Sequence, residues 1–247
     1  FTGLSNLVGA RAASHTLECH RLDLGVRFSP LSRGGQGMVA LMVQLAGTPA
    51  TWFEAGEHQH GPPLSPGPHL PFEGRSGTPC RHLGWRAPFA EVDLLAASLQ
   101  IPTIGVHIVP RPRWLGPLFA FTPPGLFRWA PTRALAEAAL RLLRMVLLST
   151  VSSPVTLVAV AQGNQRAVTR LHLDDGLAAG GQMIAALCHQ FTQALPPPGV
   201  HCVDEVTTLP TILETMAQVS PDAPGLQLQV DGSQALPSTP RKDGILG

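Results

Sequence analysis

The order of elements along this sequence predicts an α+β fold, with a mixed, largely antiparallel sheet and helices packed mainly on one face. Three observations carry the prediction. Strand patterns meet across tight turns and loops rather than helical crossovers, most clearly at 154–162 and 166–173, which flank Gly163-Asn164-Gln165. Helical patterns cluster apart from the strands instead of alternating with them, as a doubly wound fold would require. Finally, 247 residues that are 44% hydrophobic and 13% charged are enough to bury a sizeable core. Residues 1–235 read as one α+β domain and 236–247 as a polar tail.

In chain order, Leu4, Leu7, Val8 and Ala12 fall at helical spacing, which predicts a helix over 3–15 with Ser5 as its cap. From Leu17 to Phe28 apolar and polar residues alternate, with Leu22, Leu24, Val26 and Phe28 on one face of a half-buried strand. Residues 37–46 read as a buried helix and 51–60 as a strand or hairpin arm. Proline and glycine crowd the stretch from Gly61 to Gly77, which predicts an irregular loop long enough to be functional. A short strand at 80–85, a helix at 88–99 and a strand at 102–109 follow. The Pro-rich segment 110–131 holds Trp114, Phe119, Phe121, Phe127 and Trp129, aromatics that need a surface to lie against, from this chain or a partner. The longest predicted helix, 132–150, takes Thr132 as cap and sets Glu137, Arg141 and Arg144 on its polar side. After the 154–173 hairpin come helices at 178–194, stopped by Pro196 to Pro198, and at 207–219, and a strand at 226–230.

Composition excludes several function classes. The net charge is +1 and basic and acidic residues look interspersed, so neither a nucleic acid nor an anionic bilayer is expected as partner. The longest apolar stretch, 135–160, is broken by Glu137, Arg141, Arg144 and Pro154, so no membrane span is expected. Cys19, Cys80, Cys188 and Cys202 form no C-x-x-C pair, and with no secretory leader visible a reducing cytoplasm is the expected setting.

Few motifs carry chemistry. Gly35-Gln36-Gly37-Met38-Val39-Ala40, with Glu54 downstream, matches a dinucleotide fingerprint on paper, but Ser29 to Gly34 separate it from the preceding strand and no βαβ units follow. A Gly-rich helix entry is the plainer reading. Glu57, His58, His60 and His69 offer metal-ligand chemistry without a third ligand at turn or helical spacing, so no metal is expected. No G-x-S-x-G elbow is present, and Cys80 with His82 reads as two neighbours on a strand. Arg75, Arg81, Arg86, Arg111 and Arg113 lie in or beside irregular segments, where guanidinium forks can grip carboxylates, although an Arg-biased surface explains any single one.

Taken together, "GLSNLVGARAAS" at 3–14, "LECHRLDLGVRFSP", "GGQGMVALMVQLAG" at 34–47, the segment 70–109 and "DDGLAAGGQMIAALCHQFTQALPPPGVHCVDEV" at 174–206 resemble the saccharopine dehydrogenase or saccharopine reductase-like family. The likeness is a succession of elements over most of 3–220. In that family a Rossmann NAD(P)-binding domain precedes the segment like GLSN, so the resemblance implies that this chain, which opens on Phe1, is the second, substrate-binding and dimerisation domain. It further implies hydride exchange between NAD(P), held mainly by a domain absent from this chain, and an imine or secondary amine of an amino-acid-like substrate. Carried over, it makes Arg75 and Arg86 the carboxylate binders, His82 or Glu91 their polar or acid/base support, and Ser5 and Asn6 the residues facing the nicotinamide, with a homodimer as the assembly. No residue is marked as the catalytic one. The competing expectation is a binding or assembly module that keeps the fold without the chemistry.

Overall fold

The structure, a computed structural model, describes residues 2–29, 36–73, 79–111, 116, 123, 126–147, 154–220 and 226–234. In β1 (Arg21–Phe28) the alternation of Leu22, Leu24, Val26 and Phe28 with Asp23, Gly25 and Arg27 assigns one set to each face of a sheet. The leucine side lies against α1 (Thr2–Ser14), whose Leu4, Leu7, Val8 and Ala12 are buried in the same core. Around β1 the sheet grows to nine strands among the described residues. β1 runs parallel to β6 (Thr103–Pro110), and each of the other strand pairs is antiparallel. β7 (Val155–Gln162), β8 (Arg166–Leu173) and β9 (Leu226–Gln234) extend it on one side. β2 (Ala50–Glu54) and β3 (Glu57–Gly61) close the other. The fold is α+β with a mixed, largely antiparallel sheet, as the element order predicts.

α3 (Glu91–Leu99), α5 (Gly176–Gln193) and α7 (Leu209–Val219) join α1 on the leucine face, and α6 (Val203–Val206) is a single turn between the last two. Each fully buried Leu or Ile side chain in this layer contributes about 1.5–3 kcal/mol of transfer free energy. The opposite face is covered by β4 (Pro66–Glu73) and β5 (Pro79–Arg86). Among the described residues this hairpin joins the sheet only where Trp85 and Arg86 pair with Ile108 and His107. Its Leu70 and Phe72 form a second core with Val109, Val158 and Val160. Gly25 is what lets them approach: a Cβ there would stand 2.5 Å from Leu70 Cδ1. Two arginines clasp the hairpin, Arg170 Nε donating to the Pro71 carbonyl at 2.9 Å and Arg27 to that of Glu73 at 3.3 Å.

Several local expectations are corrected. The stretch expected as an irregular loop contains β4, whose prolines are tolerated because β5 is its only strand partner among the described residues. Residues 51–60 form a complete hairpin, turning on Ala55 and Gly56 in left-handed conformation. Ser5 is not a cap but a buried residue inside α1. α2 (Gln36–Gly47) follows β1, but β2 runs antiparallel to β6 and hence to β1, so no dinucleotide-type crossover is formed. The tail beyond Gln234 and Arg75 lie outside the described residues.

α4 (Ala130–Leu147) starts two residues before the expected cap, and Thr132 instead donates back to the Trp129 carbonyl at 2.9 Å. Arg141 is exposed, as its place on the polar side predicts, while Glu137 is half-buried at a crevice against Ala40 and Gln44 of α2. Leu135, Leu142 and Met145 are exposed as well, and Thr132, Ala136 and Leu140 are half-buried.

Candidate functional site

Glycine and leucine at the start of α1, the outer end of β1, α2, the turn before α3 and the first turns of α5 line a cleft of about 800 Å³ that is open to solvent, where Leu177 and Ile184 are exposed. Its wall is almost wholly apolar, with Leu4, Phe28, Met42, Phe89, Met183 and Ile184 prominent. The helices can close on it because Gly3 has no side chain: a Cβ there would stand 2.2 Å from Met183 Cε. On α5 the wall is left open at Gly180 and Gly181, where an added Cβ would meet nothing within 4 Å.

Glu91 is the one ionisable residue among the described lining residues. It opens α3, where the helix N-terminus favours a carboxylate, and is only 5% exposed. Ser5 Oγ, fully buried on α1, donates to Glu91 Oε1 at 3.0 Å. The polar group of the wall is thus Glu91, held from behind by Ser5, which bridges the first helix and α3 but does not itself line the space. Such a carboxylate accepts from an amine or hydroxyl and repels a second carboxylate.

The structure brings together two of the sequence-predicted site residues, Ser5 and Glu91, and separates the others. Asn6 is buried beside Ser5 in sequence, with no hydrogen-bond partner for its Oδ1 among the described residues, but does not line the cleft. His82 lies across the sheet, edge-on to Phe72 at 5.8 Å between ring centroids. Arg86 is stacked over the Trp52 ring at 4.3 Å. Among the described residues no three metal-ligating side chains converge; His58 packs on Phe53 and faces Asp93 at 3.6 Å.

A second polar constellation, on the hairpin side of the sheet, is absent from the sequence-level candidates. Asp23 and His107 are opposite-face residues of the adjacent parallel strands β1 and β6, with His107 Nε2 3.1 Å from Asp23 Oδ1. Arg21 grips the same carboxylate twice, at 2.7 and 3.2 Å. Burial opposes ionisation of Asp23, but the hydrogen bonds from His107 and Arg21 and their charge outweigh it and hold the carboxyl below its ordinary value. The same bonds raise the Arg21 pKa. An ionised carboxylate only accepts, so Nε2 carries the proton and Nδ1 is left without a partner among the described residues. That nitrogen is closed off by backbone, since a Cβ on Gly67 would lie 2.6 Å from it. With His107 1% exposed, the pair has the form of a base and its orienting group but no route to a substrate. It pins β1 to β6. The sequence signal was one charged or imidazole residue inside each of two apolar strand runs, Leu22-Asp23-Leu24 and Val106-His107-Ile108.

The sequence matches no family model and no curated protein, so the family resemblance rests on the segments that carry it. No described helix is long and apolar enough to cross a membrane.

Proposed function

We propose that this chain is a ligand-binding domain that holds a predominantly apolar small molecule in the helix-face cleft, with an amine or hydroxyl of that molecule at Glu91. One observation carries the reading: a cleft of about 800 Å³ whose apolar wall contains a single carboxylate. Its volume is that of typical small-molecule sites, which are mostly apolar with a few convergent polar groups. A dicarboxylic amino acid would find no cation among the described lining residues, which favours the binding-module expectation over an amino-acid substrate. The test is displacement of a bound fluorescent apolar probe by an alkylamine and by the alkylcarboxylate of equal length. The amine should displace it at the lower concentration, and Glu91→Gln should remove the preference. Equal displacement by both in the unmodified protein would refute the assigned polarity.

A second reading is favoured by the Ser5–Glu91 hydrogen bond. In a saccharopine reductase-like oxidoreductase the resemblance puts Ser5 on the nicotinamide side and Glu91 on the substrate side, and here the two touch beside a ligand-sized cleft. On this reading the chain supplies binding and orientation while NAD(P), held mainly by another domain, supplies the hydride. It predicts NADPH-dependent imine reduction only when a nucleotide-binding domain is supplied, with Glu91→Gln lowering the rate.

A further inference from the structure

The side of the sheet covered by the β4–β5 hairpin carries more positive charge than its own contacts use. Strand register sets Arg21, Gln162 and Arg166 in one row across β1, β7 and β8, with Arg27 and Arg170 farther along the same face. Neighbouring strands lie about 4.8 Å apart, so the row spans roughly 10 Å. Arg81 comes to this side from β5. Three of these five arginines are committed to partners. Arg21 grips Asp23, Arg170 Nε donates to the Pro71 carbonyl, and Arg27 donates to the carbonyl of Glu73. Arg166 and Arg81 have no such bond among the described residues, and Arg166 Nε is buried without an acceptor there.

The fold brings these two uncommitted cations close enough to repel. Burial, and after it the charge of Arg81, push the Arg166 pKa down. Asp23 acts in the other direction, but its carboxylate is already bonded to Arg21 and His107. A half-buried guanidinium left without an acceptor beside a like charge costs free energy, and an anion between the two removes both costs. We propose that Arg81 and Arg166 hold a phosphate group, free or as a phosphomonoester, with half-buried Arg166 as the fixed wall of the site and exposed Arg81 at its entrance. A phosphate dianion balances both charges, whereas a monocarboxylate balances one. Guanidinium forks match phosphate oxygens in pairs, which suits arginine at both positions. Gln162, next to Arg166 on the same face, has an amide that can donate to a further oxygen. The site lies across the sheet from the apolar cleft and takes the opposite charge, so neither assignment rests on the other.

The experiment is calorimetric titration of the protein with inorganic phosphate, phenyl phosphate and acetate at constant ionic strength, with the melting temperature followed in parallel. Phosphate should bind saturably near one per chain, about tenfold or more tighter than acetate, and raise the melting temperature. Arg166→Gln and Arg81→Gln should each weaken phosphate binding about tenfold or more, while Arg141→Gln, exposed on α4, should leave it unchanged. Without phosphate, Arg166→Gln should melt no lower than the parent, because it relieves repulsion and breaks no bond; an arginine that only braces the sheet would lower it. Arg81 is exposed, so Arg81→Gln still decides the matter if Arg166→Gln does not fold. Tighter binding of phenyl phosphate than of phosphate assigns the site to an ester, and equal affinity assigns it to the phosphate group alone. Absence of saturable phosphate binding overturns the proposal, as does acetate binding as tightly as phosphate. Equal phosphate binding by the parent and both arginine variants means an adventitious ion only and overturns it too.

Discussion

Gly180 sits in the second turn of α5, where glycine is the least favourable residue short of proline, and its presence there needs a reason other than the helix. A Cβ added at this position would touch nothing within 4 Å, and the residue lines the cleft. Gly180→Ala therefore removes the entropic penalty of glycine without a steric one, and should stabilise the protein by about 0.5–1 kcal/mol. For a chain of this size that raises the melting temperature by roughly 1–4 °C. Thermal unfolding followed by circular dichroism at 222 nm reads helix loss directly. A lowered melting temperature would refute the reasoning, since it would mean that atoms already occupy the space assigned to the cleft at the wall where α5 faces Phe89 and Met42.

Asp23→Asn should be among the costliest single changes, because it leaves Arg21 and His107 facing a neutral amide inside the sheet. Breaking a buried pair costs about 3–5 kcal/mol, and the lower end applies because the Arg21 side chain is 35% exposed and reaches water. Urea unfolding should show it as a lower midpoint with unchanged slope. The folded pKa of Asp23 is depressed, so its contribution is complete above the ordinary carboxyl value near 4 and is lost as pH falls through the lowered one. The gap between wild type and Asp23→Asn should accordingly be constant from about pH 5 upward and shrink in acid; a gap that widens in acid would contradict the assigned direction. Gly67→Ala drives a methyl to 2.6 Å from His107 Nδ1 and 3.2 Å from the Gly84 carbonyl, and should destabilise by about 1–3 kcal/mol in the same assay. Ser5→Ala removes the donor from buried Glu91 and should cost about 1 kcal/mol while weakening any amine ligand.

Much of the scaffold was legible because its signals are local. β1 and β7 show period-two or continuous apolar runs, the β7–β8 turn is announced by Gly163-Asn164, and α5 ends before three prolines. β4 was hidden because proline reads as a strand breaker, and only the tertiary fact that it is an edge strand removes the objection. The Asp23–His107 pair was hidden because it depends on β1 lying parallel to β6, a register set across a sequence separation of 84 that no local pattern encodes. Ser5 and Glu91 were both named from a resemblance, but that they touch follows from the packing of α1 on α3.

The most direct test of the cleft as a binding site is a saturation titration of the purified protein with a fluorescent apolar probe, beside a Gly180→Leu variant that fills the open wall from α5. The account predicts saturable binding near one probe per chain in the parent and its loss in the variant, with unfolding temperature maintained or raised. Equal binding by both proteins would contradict it, because the probe would then be lodged elsewhere.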